Sequence, residues 1–396
     1  MASEWRITTL GEVIEFKRGY DLPNQDRRDG PYPIVSSSGI SGRHSEAKAK
    51  APGVVIGRYG TLGEVHYITE DYWPLNTSLY VRDFKGNDPK FISYFLRSLD
   101  FGAYSDKAAV PGLNRNDLHT EIVRIPPVAE QRRIAGILGA LDDKIELNRR
   151  ISQTLESMAR ALFKSWFVDF DPVGDDAKLG SSQSSGEFKR RHIPEGWKSE
   201  PLDSLVETLS GGTPSTDEPD LWGGLIPWIS PKVMTSIHAD HSDECVAAAS
   251  IGHGTRIAPA GSTLIMVRGM GLHREVRVSQ ARGEVAFSQD VKALVPVRIA
   301  ASLLLFALLD AKAELLEKVE SSGHGTGRLP TDVLKAYSVA LPSLATQREL
   351  ARYFDNINDR IAGIRFESRQ LARARDILLA SLLSPGIARA RRGEAA

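Results

Sequence analysis

Residues 125–150 read IPPVAEQRRIAGILGALDDKIELNRR, and residues 341–366 read LPSLATQRELARYFDNINDRIAGIRF. The two segments keep one register, in which Gln347 follows Gln131 by 216 positions. Identical residues recur at this offset along both segments, and conservative pairs fill most of the positions between them. Chance does not maintain such a register over roughly forty residues, so the chain contains an internal repeat.

Both copies of the repeat have the apolar pattern of a long amphipathic helix. In the first copy, Ile134, Leu138, Leu141 and Ile145 follow one another at steps of three and four, with charged residues between them. Prolines flank each segment, which predicts helices over 126–170 and 342–385. Each would be about 60 Å long. A helix of that length needs an equally long partner for its apolar stripe, so we expect an antiparallel coiled coil.

A weaker repeat precedes the helices. Trp5, Leu10 and Val13 match Trp197, Leu202 and Leu205, and both stretches continue with β-branched runs that glycines interrupt. The expected fold class is α+β, with two mixed α/β domains separated by two long antiparallel helices in a pseudo-twofold internal repeat. The predicted boundaries are a first domain at 1–125, a helix at 126–170, a linker at 171–192, a second domain at 193–341, a helix at 342–385 and a flexible tail at 386–396.

Composition favours a soluble, cytoplasmic protein. The chain has 396 residues, of which 41% are hydrophobic and 25% are charged, and its 50 basic residues balance 50 acidic ones. The longest apolar run, at 299–309, is too short to span a bilayer. The N-terminus lacks an apolar signal core, and a lone Cys245 suits a reducing compartment. We therefore expect no association with a membrane.

No catalytic constellation is recognisable in the sequence. It contains neither the GxxxxGK[ST] loop of nucleotide-binding proteins nor a GxSxG nucleophile motif. The segment HADHSDEC offers His238, His241 and Cys245 as metal ligands, but their spacing fits no common zinc pattern. A polar surface loop is the better interpretation of this segment. We expect no metal and no catalytic residue in the chain.

Three motifs carry a resemblance to a known family. The first is W-x4-L-x2-V at Trp5, Leu10 and Val13, and the second is P-P-x3-Q-R-x-I-A at 126–135, followed by D-x-K-I at 142–145. The third, LFKSWFVDFDPV at 162–173, is the most specific. Over nearly its whole length the chain resembles the specificity subunit of Type I restriction–modification systems.

The resemblance implies a non-catalytic subunit that binds double-stranded DNA. Each domain would recognise one half of an asymmetric bipartite target, while the paired helices would set the distance between the half-sites and dock two methyltransferase subunits. Two restriction subunits could join the complex. S-adenosylmethionine, ATP and Mg²⁺ would belong to those partners, and this chain would bind no cofactor. The alternative is a coiled-coil scaffold or adaptor that binds protein partners without DNA.

Candidate contact residues lie in glycine-rich loops that offer hydroxyls, amides and basic groups for phosphates and base edges. In the first domain they are Ser36, Ser37, Ser38, Arg43, Arg58, Tyr59, Asn76, Thr77, Lys107, Asn114 and Arg115. In the second domain they are Lys232, Arg268, His273, Arg274, Arg277, Gln289, Ser321, His324 and Arg328, with Arg268 aligned roughly with Arg58 and Gln289 with Asn76. For the docking of partner subunits, the candidates are Gln131, Arg132, Trp166, Phe167, Gln347 and Arg348.

Overall fold

The computed structural model describes residues 5–101, 112–171, 193–322 and 325–383. Within these ranges the α-helices are α1 Leu10–Val13, α2 Pro89–Arg97, α3 Arg115–His119, α4 Val128–Phe163, α5 Leu202–Leu205, α6 Ala301–Asp310, α7 Lys312–Glu317, α8 Thr331–Ala336 and α9 Leu344–Leu383. A π-helical turn, Lys164–Asp169, continues α4. None of these helices is long and apolar enough to cross a membrane.

The strands divide between the two halves of the sequence. In the first half they are β1 Arg6–Thr9, β2 Glu15–Arg18, β3 Tyr32–Ser36, β4 Gly39–His44, β5 Gly53–Gly57, β6 Val65–Ile68, β7 Trp73–Pro74, β8 Ser78–Asp83 and β9 Ile122–Ile125. In the second half they are β10 Lys198–Pro201, β11 Val206–Ser210, β12 Trp222–Ile229, β13 His238–Ala239, β14 Cys245–Val246, β15 Ile257–Ala258, β16 Thr263–Met266, β17 Arg268–Gly269, β18 Val278–Ala281, β19 Val285–Phe287, β20 Val291–Pro296, β21 Glu320–Ser321, β22 Gly327–Arg328 and β23 Ser338–Leu341.

The chain forms two compact units, and each contains a part of both long helices. The first unit comprises 1–148 and 367–396, and the second comprises 149–366. A globular domain therefore packs on the beginning of one long helix and on the end of the other. The compact units thus differ from the linear division of the chain into domains and helices.

The first unit contains three sheets, with strand orders β2–β8–β5–β6, β4–β3–β7 and β1–β9. Its main core joins α2 to the long helices. Phe91 and Phe95 of α2 are fully buried in one cluster with Leu138 of α4 and Leu383 of α9. The side chain of Asp88 accepts a hydrogen bond from the Phe91 amide (2.8 Å) and so caps the beginning of α2.

The second unit has a larger set of sheets, with strand orders β11–β20–β16–β18–β13, β14–β12–β19–β15, β17–β22–β21 and β10–β23. The apolar run at 299–309 forms most of α6, whose residues 302–309 are all buried. A helix that is apolar on every side packs in the interior of a domain, and α6 does so here. Phe354 of α9 belongs to the same core cluster.

Within each unit the two long helices run antiparallel, as the repeat predicted. In the first unit Asp142 contacts Arg375 (2.8 Å), whereas the later residue Asn148 contacts the earlier residue Glu367 (2.9 Å). In the second unit the ring of Phe163 lies 6.0 Å from that of Phe354. The helices are continuous over 36 and 40 residues and thus pass from one unit into the other.

Candidate nucleic-acid interface

Four loops of the first unit are joined by hydrogen bonds at the ends of β3, β5 and β7. The amides of Arg58 and Tyr59 donate to the carbonyl of Thr77 (3.0 and 3.3 Å), and the Leu113 amide donates to the carbonyl of Arg58 (3.1 Å). The amide of Ser37 donates to the Thr77 hydroxyl (3.4 Å). The first loop cluster is defined as Ser36–Ser38, Arg58–Thr61, Asn76–Thr77 and Gly112–Leu113.

Arg58 and Tyr59 are held in place by stacking. The guanidinium carbon of Arg58 lies 4.5 Å from the centre of the Tyr59 ring, and its Nε donates to the carbonyl of Leu113 (3.3 Å). The Tyr59 ring lies against Gly112, where a Cβ atom would be only 2.3 Å from the ring. Tyr59 still exposes 37% of its surface. This part of the cluster therefore presents an aromatic face rather than a free positive charge.

The serine turn after β3 presents hydroxyl groups. The Ser36 hydroxyl donates to the carbonyl of Gly39 (3.0 Å) and lies 3.2 Å from the hydroxyl of Ser38. Gly39 has a φ of +96°, a conformation that a side chain would strain. The exposed Ser38 hydroxyl can both donate and accept hydrogen bonds, as contacts to base edges require.

Two residues of this site were missed by the sequence analysis. The Thr61 hydroxyl donates to the carbonyl of Ser37 (2.6 Å), and the Nε2 atom of His66 lies 3.1 Å from the same oxygen. Together they fix the serine turn against β5 and β6. His66 lies within a short strand, and only the pairing of that strand brings it to the turn, so no local sequence signal could have identified it.

Some predicted residues use their side chains for hydrogen bonds within the protein. Asn76 donates from Nδ2 to the carboxylate of Asp21. The side-chain oxygen of Asn114 accepts a hydrogen bond from the Asn116 amide (3.0 Å) and caps α3, on which Arg115 is exposed. Capping engages one acceptor site of the Asn114 oxygen, and bidentate contact of this side chain with adenine stays a prediction.

Arg43 lies apart from the first loop cluster, and its contact with DNA stays a prediction. It pairs with the carboxylate of Glu70 (3.0 Å) and also donates to the carbonyl of Pro31. It lies towards the open end of the β3–β4 hairpin, away from the turn at Ser36–Gly39. With its charge compensated, Arg43 does not join the first loop cluster. Lys107 lies outside the described residues.

The second unit forms a cluster around a small three-stranded sheet. Arg268 of β17 lies directly opposite Arg328 of β22, and both are exposed. A 3-10 turn, Met270–His273, follows β17, and the His273 ring is 3.0 Å from the carbonyl of Gly325. Arg274 is exposed at the end of this turn. The second loop cluster is defined as Arg268, Met270–Arg274, Gln289, Ser321 and Gly327–Arg328.

This basic cluster stands out within an acidic domain. Residues 193–340 contain 13 Lys and Arg against 18 Asp and Glu, yet the second loop cluster contains three exposed arginines. Ser321 is exposed opposite Gly327, and Gln289 accepts a hydrogen bond from the Thr213 hydroxyl. His324 lies outside the described residues. The local concentration of positive charge is suited to a phosphate backbone or a base edge.

Arg277 lies apart from the second loop cluster, and its contact with DNA stays a prediction. Its Nε pairs with Glu275 (2.7 Å), and its Nη1 donates to the carbonyl of Pro231 (2.8 Å). The side chain therefore lines a half-open pocket of about 290 Å³ rather than the second loop cluster. Lys232 is exposed on the 3-10 turn that contains Pro231, and its predicted role remains untested.

Strand pairing shows which residues of the two units are equivalent. The Leu75 amide donates to the carbonyl of Val35 (2.8 Å), and the Ser288 amide donates to the carbonyl of Ile229 (3.0 Å). The next residues, Asn76 and Gln289, are therefore equivalent, as the sequence predicted. Each amide side chain also bonds to an equivalent loop. Asn76 bonds to Asp21 after β2, and Gln289 bonds to Thr213 after β11.

The predicted alignment of Arg268 with Arg58 is wrong by one residue. In the first unit the amides of Arg58 and Tyr59 donate to one carbonyl, and in the second unit those of Val267 and Arg268 donate to the carbonyl of Asp290 (2.8 and 3.3 Å). Arg268 is thus the equivalent of Tyr59. Because successive residues of a strand point to opposite faces, a shift of one residue changes which side chain reaches the surface.

The two glutamines proposed for partner docking are buried. Gln131 is 1% exposed, and it bonds to the amide of Asp88 (2.9 Å), to the side chain of Asn87 (2.7 Å) and to the carbonyl of Pro126 (3.0 Å). Gln347 is also buried and donates to the carbonyl of Pro342 (3.1 Å). Neither side chain can reach a partner, so both predictions are corrected to structural roles.

Phe167 is likewise part of the interior. It is buried and stacks on Phe163, with a ring separation of 4.8 Å. Trp166 is half-buried and meets Tyr353 edge to face at 5.4 Å, which leaves part of its ring accessible. Arg132 and Arg348 are exposed at equivalent positions of α4 and α9, and partner docking by them remains a prediction.

The long helices expose large apolar side chains that the sequence analysis did not single out. In the first unit they include Ile137 and Leu147 of α4 and Ile377 of α9, which is 69% exposed. In the second unit they include Met158 of α4 and Tyr353 of α9. Ile137 and Tyr353 occupy equivalent positions of the repeat, since 353 follows 137 by 216 positions.

Only part of the segment HADHSDEC is the surface loop that the sequence suggested. His238 is buried, and its Nε2 atom lies 2.5 Å from Oδ1 of Asn358. Burial lowers the pKa of His238 to about 4, so the ring is neutral at pH 7. His241 is exposed beside Asp243. Among the described residues, no three metal-ligating side chains come together.

The chain matches a known family at two places, which correspond to the two halves of the repeat. The family is described as the Type I restriction modification DNA specificity domain, and its model matches residues 2–157 and 194–371. The chain belongs to this family. Its relatives are specificity subunits, which are non-catalytic DNA-recognition components, and this chain is such a subunit.

Individual relatives support the assignment. The specificity subunit of the HindI enzyme from Haemophilus influenzae is 24% identical over 357 residues, which cover 75% of this chain and 77% of that protein. The EcoR124I/EcoR124II specificity subunit from Escherichia coli is 25% identical over 165 residues, or 41% of this chain and 40% of that protein.

The fold also has a solved counterpart. The crystal structure of the Type I restriction–modification S subunit from M. genitalium aligns with a TM-score of 0.60, covers 96% of both chains and shares 16% sequence identity. At that identity, the likeness concerns the fold.

Proposed function

We propose that the chain selects an asymmetric bipartite site on double-stranded DNA, with one half-site for each loop cluster. The observation that carries this proposal is the unequal chemistry of two equivalent surfaces. The first loop cluster presents hydroxyls and an aromatic ring, whereas the second presents three exposed arginines. Two such surfaces cannot prefer the same bases, so the half-sites differ.

The long helices have a second role in this proposal, which is to bind the modification subunits. Exposed apolar residues such as Ile137 and Tyr353 occupy equivalent positions of α4 and α9 and form the centre of each docking surface. Two equivalent surfaces suit two methyltransferase subunits, which carry S-adenosylmethionine, and restriction subunits with ATP and Mg²⁺ join the larger complex. The chain supplies no group for methyl transfer and acts in the cytoplasm.

Mapping of methyladenine tests the proposal. The chain is co-expressed with the modification subunits of its own system, and the host genome is sequenced by a method that detects methylated bases. The expected result is a split motif with different halves and an unread spacer. Insertion of one helical turn into both α4 and α9 lengthens that spacer by one or two base pairs, since a turn adds about 5.4 Å and a base pair about 3.4 Å.

A band-shift assay separates this function from a protein-binding scaffold. The complex is mixed with duplex fragments at graded salt concentrations, and its affinity should fall steeply with salt because phosphate contacts release counterions. Absence of any shift, together with assembly of the subunits, would instead favour the coiled-coil adaptor.

A further inference from the structure

The second loop cluster contains two arginines at the places where the first has a tyrosine and a glycine. Arg268 is equivalent to Tyr59, as the hydrogen bonds to the neighbouring carbonyl show. The Leu113 amide donates to Arg58 (3.1 Å), and the Leu329 amide donates to the equivalent residue Val267 (2.9 Å). The residues before these leucines, Gly112 and Arg328, are therefore equivalent as well.

The fold keeps the two arginines side by side, and neither of them forms an ion pair with a described carboxylate. They are directly opposite each other in antiparallel strands, and like charges in that arrangement repel. Among the described residues, no carboxylate lies within ion-pair distance of either guanidinium. Glu320 is opposite Arg328 on its other side, and Asp290 lies near Arg268, but neither forms an ion pair with them.

The ladder continues past this pair with two glycines. Gly269 and Gly327 are directly opposite each other, and Gly269 has a φ of +138°, which favours glycine. The side chains of Arg268 and Arg328 are both exposed, so a base edge can reach the two guanidinium groups.

We propose that Arg268 and Arg328 together bind the N7 and O6 acceptors of guanine in the half-site of the second unit. This inference rests on the proposed function. Arginine on these two acceptors is the commonest specific contact in the major groove. The first loop cluster has no equivalent, because Arg58 is stacked on Tyr59 and bonded to Leu113. Guanine selection by paired arginines therefore belongs to one half-site.

A selection experiment tests this pairing. The full complex, with its modification subunits, selects from a pool of randomised duplexes, and the enriched duplex then serves as the binding probe. Arg268→Lys and Arg328→Lys keep the charge but lose the fork of donors, so each should bind the probe roughly 10- to 100-fold more weakly. Renewed selection with each variant should show relaxed preference at one guanine and an unchanged other half-site.

Arg298→Lys is the matched control. Arg298 is exposed in the same unit and pairs with Glu200 (3.0 Å) outside the cluster, so its variant should bind within twofold of the wild type. Arg268→Ala and Arg328→Ala should relax the preference for the same guanine. They should also reduce the salt dependence of the affinity for the probe.

A phosphate contact would give a different pattern. The lysine variants would bind the probe like the wild type, and the alanine variants would bind all duplexes more weakly with unchanged base preference. That pattern, or an enriched half-site without a G·C pair, overturns the proposal. If the wild-type complex selects no motif at all, the proposed function fails, which is a separate outcome.

Discussion

Position 142 of α4 and position 358 of α9 are equivalent in the repeat, yet one is an aspartate and the other an asparagine. In the first unit Asp142 accepts hydrogen bonds from the Tyr94 hydroxyl (2.6 Å) and from Arg375 (2.8 Å). In the second, Asn358 is fully buried between His238 and Gln280, at 2.5 and 2.6 Å. The same helical position is thus ionic in one unit and neutral in the other.

This difference shows how a duplicated helix adapts to two unlike domains. The Tyr94 hydroxyl of α2 donates a hydrogen bond to Asp142. Burial and the neighbouring carboxylate raise the pKa of this hydroxyl, so it stays protonated. His238 and Gln280 come from strands that offer both a donor and an acceptor, and an amide satisfies both. Each helix is therefore matched to its own domain by a single residue as well as by its apolar stripe.

Of the variants that test this comparison, Asn358→Asp should cause the largest loss of stability. A buried carboxylate at position 358 cannot donate to Gln280 and must be desolvated, so we expect a loss of about 4 kcal/mol in the free energy of unfolding at pH 8. The carboxylate also raises the pKa of His238. The loss should therefore shrink towards pH 6, as the ring gains a proton and pairs with it. Urea unfolding at the two pH values measures both quantities.

Asp142→Asn is the matched control for this change. An asparagine can still accept from Tyr94, and Arg375 keeps its ion pair with Asp376 (2.7 Å). The expected loss is about 1 kcal/mol, because these groups retain most of their hydrogen bonds. An Asn358→Asp chain as stable as the Asp142→Asn chain would show that the two positions are interchangeable.

The same contrast explains what the sequence could and could not reveal. The helix pair was predictable because apolar residues at steps of three and four repeat over a long stretch. Gln131 was a candidate for partner docking, but its bonding partners Asn87 and Asp88 lie more than forty residues earlier, where no local pattern points to the contact. The charge of Arg43 is compensated by Glu70, which a loop composition does not reveal. Contacts between distant segments decided each of these cases.

Gln131→Ala should have the next largest effect, with Gln347→Ala as its counterpart in the other unit. Gln131 makes three hydrogen bonds, two of which join α4 to the beginning of α2, and its loss leaves the Asp88 amide and the side-chain oxygen of Asn87 without this partner. We expect a loss of about 3 kcal/mol for Gln131→Ala and about 1 kcal/mol for Gln347→Ala, whose one hydrogen bond stays within its own helix end.

Hydrogen exchange detected by mass spectrometry reports the loss of stability of each variant separately for each unit. Peptides from α2 and the beginning of α4 should exchange faster in Gln131→Ala, whereas peptides from α6 and β13 should not. Equal effects of the two alanine variants would contradict the asymmetry that we infer from their hydrogen bonds.

A smaller effect than that of Gln131→Ala is expected from a dependence of stability on pH that belongs to the second unit. The folded-state pKa of His238 is about 4, below the ordinary value of about 6.5, because the ring is buried and lies near Arg282 and Arg365. As the pH falls below 6.5, the unfolded chain binds a proton that the folded chain excludes, so stability decreases by roughly 1.4 kcal/mol per pH unit. Between pH 6.5 and pH 5, this contribution amounts to about 2 kcal/mol.

His238→Gln removes the titrating group while it keeps a donor for Asn358. Its unfolding free energy, measured by urea titration from pH 7.5 to pH 5, should fall less steeply than that of the wild type, and the two curves should separate only below about pH 6.5. Other titrating groups are the same in both proteins and cancel in the difference. Parallel curves would mean that His238 accepts a proton in the folded chain. The inference that the site around Asn358 is neutral would then be wrong.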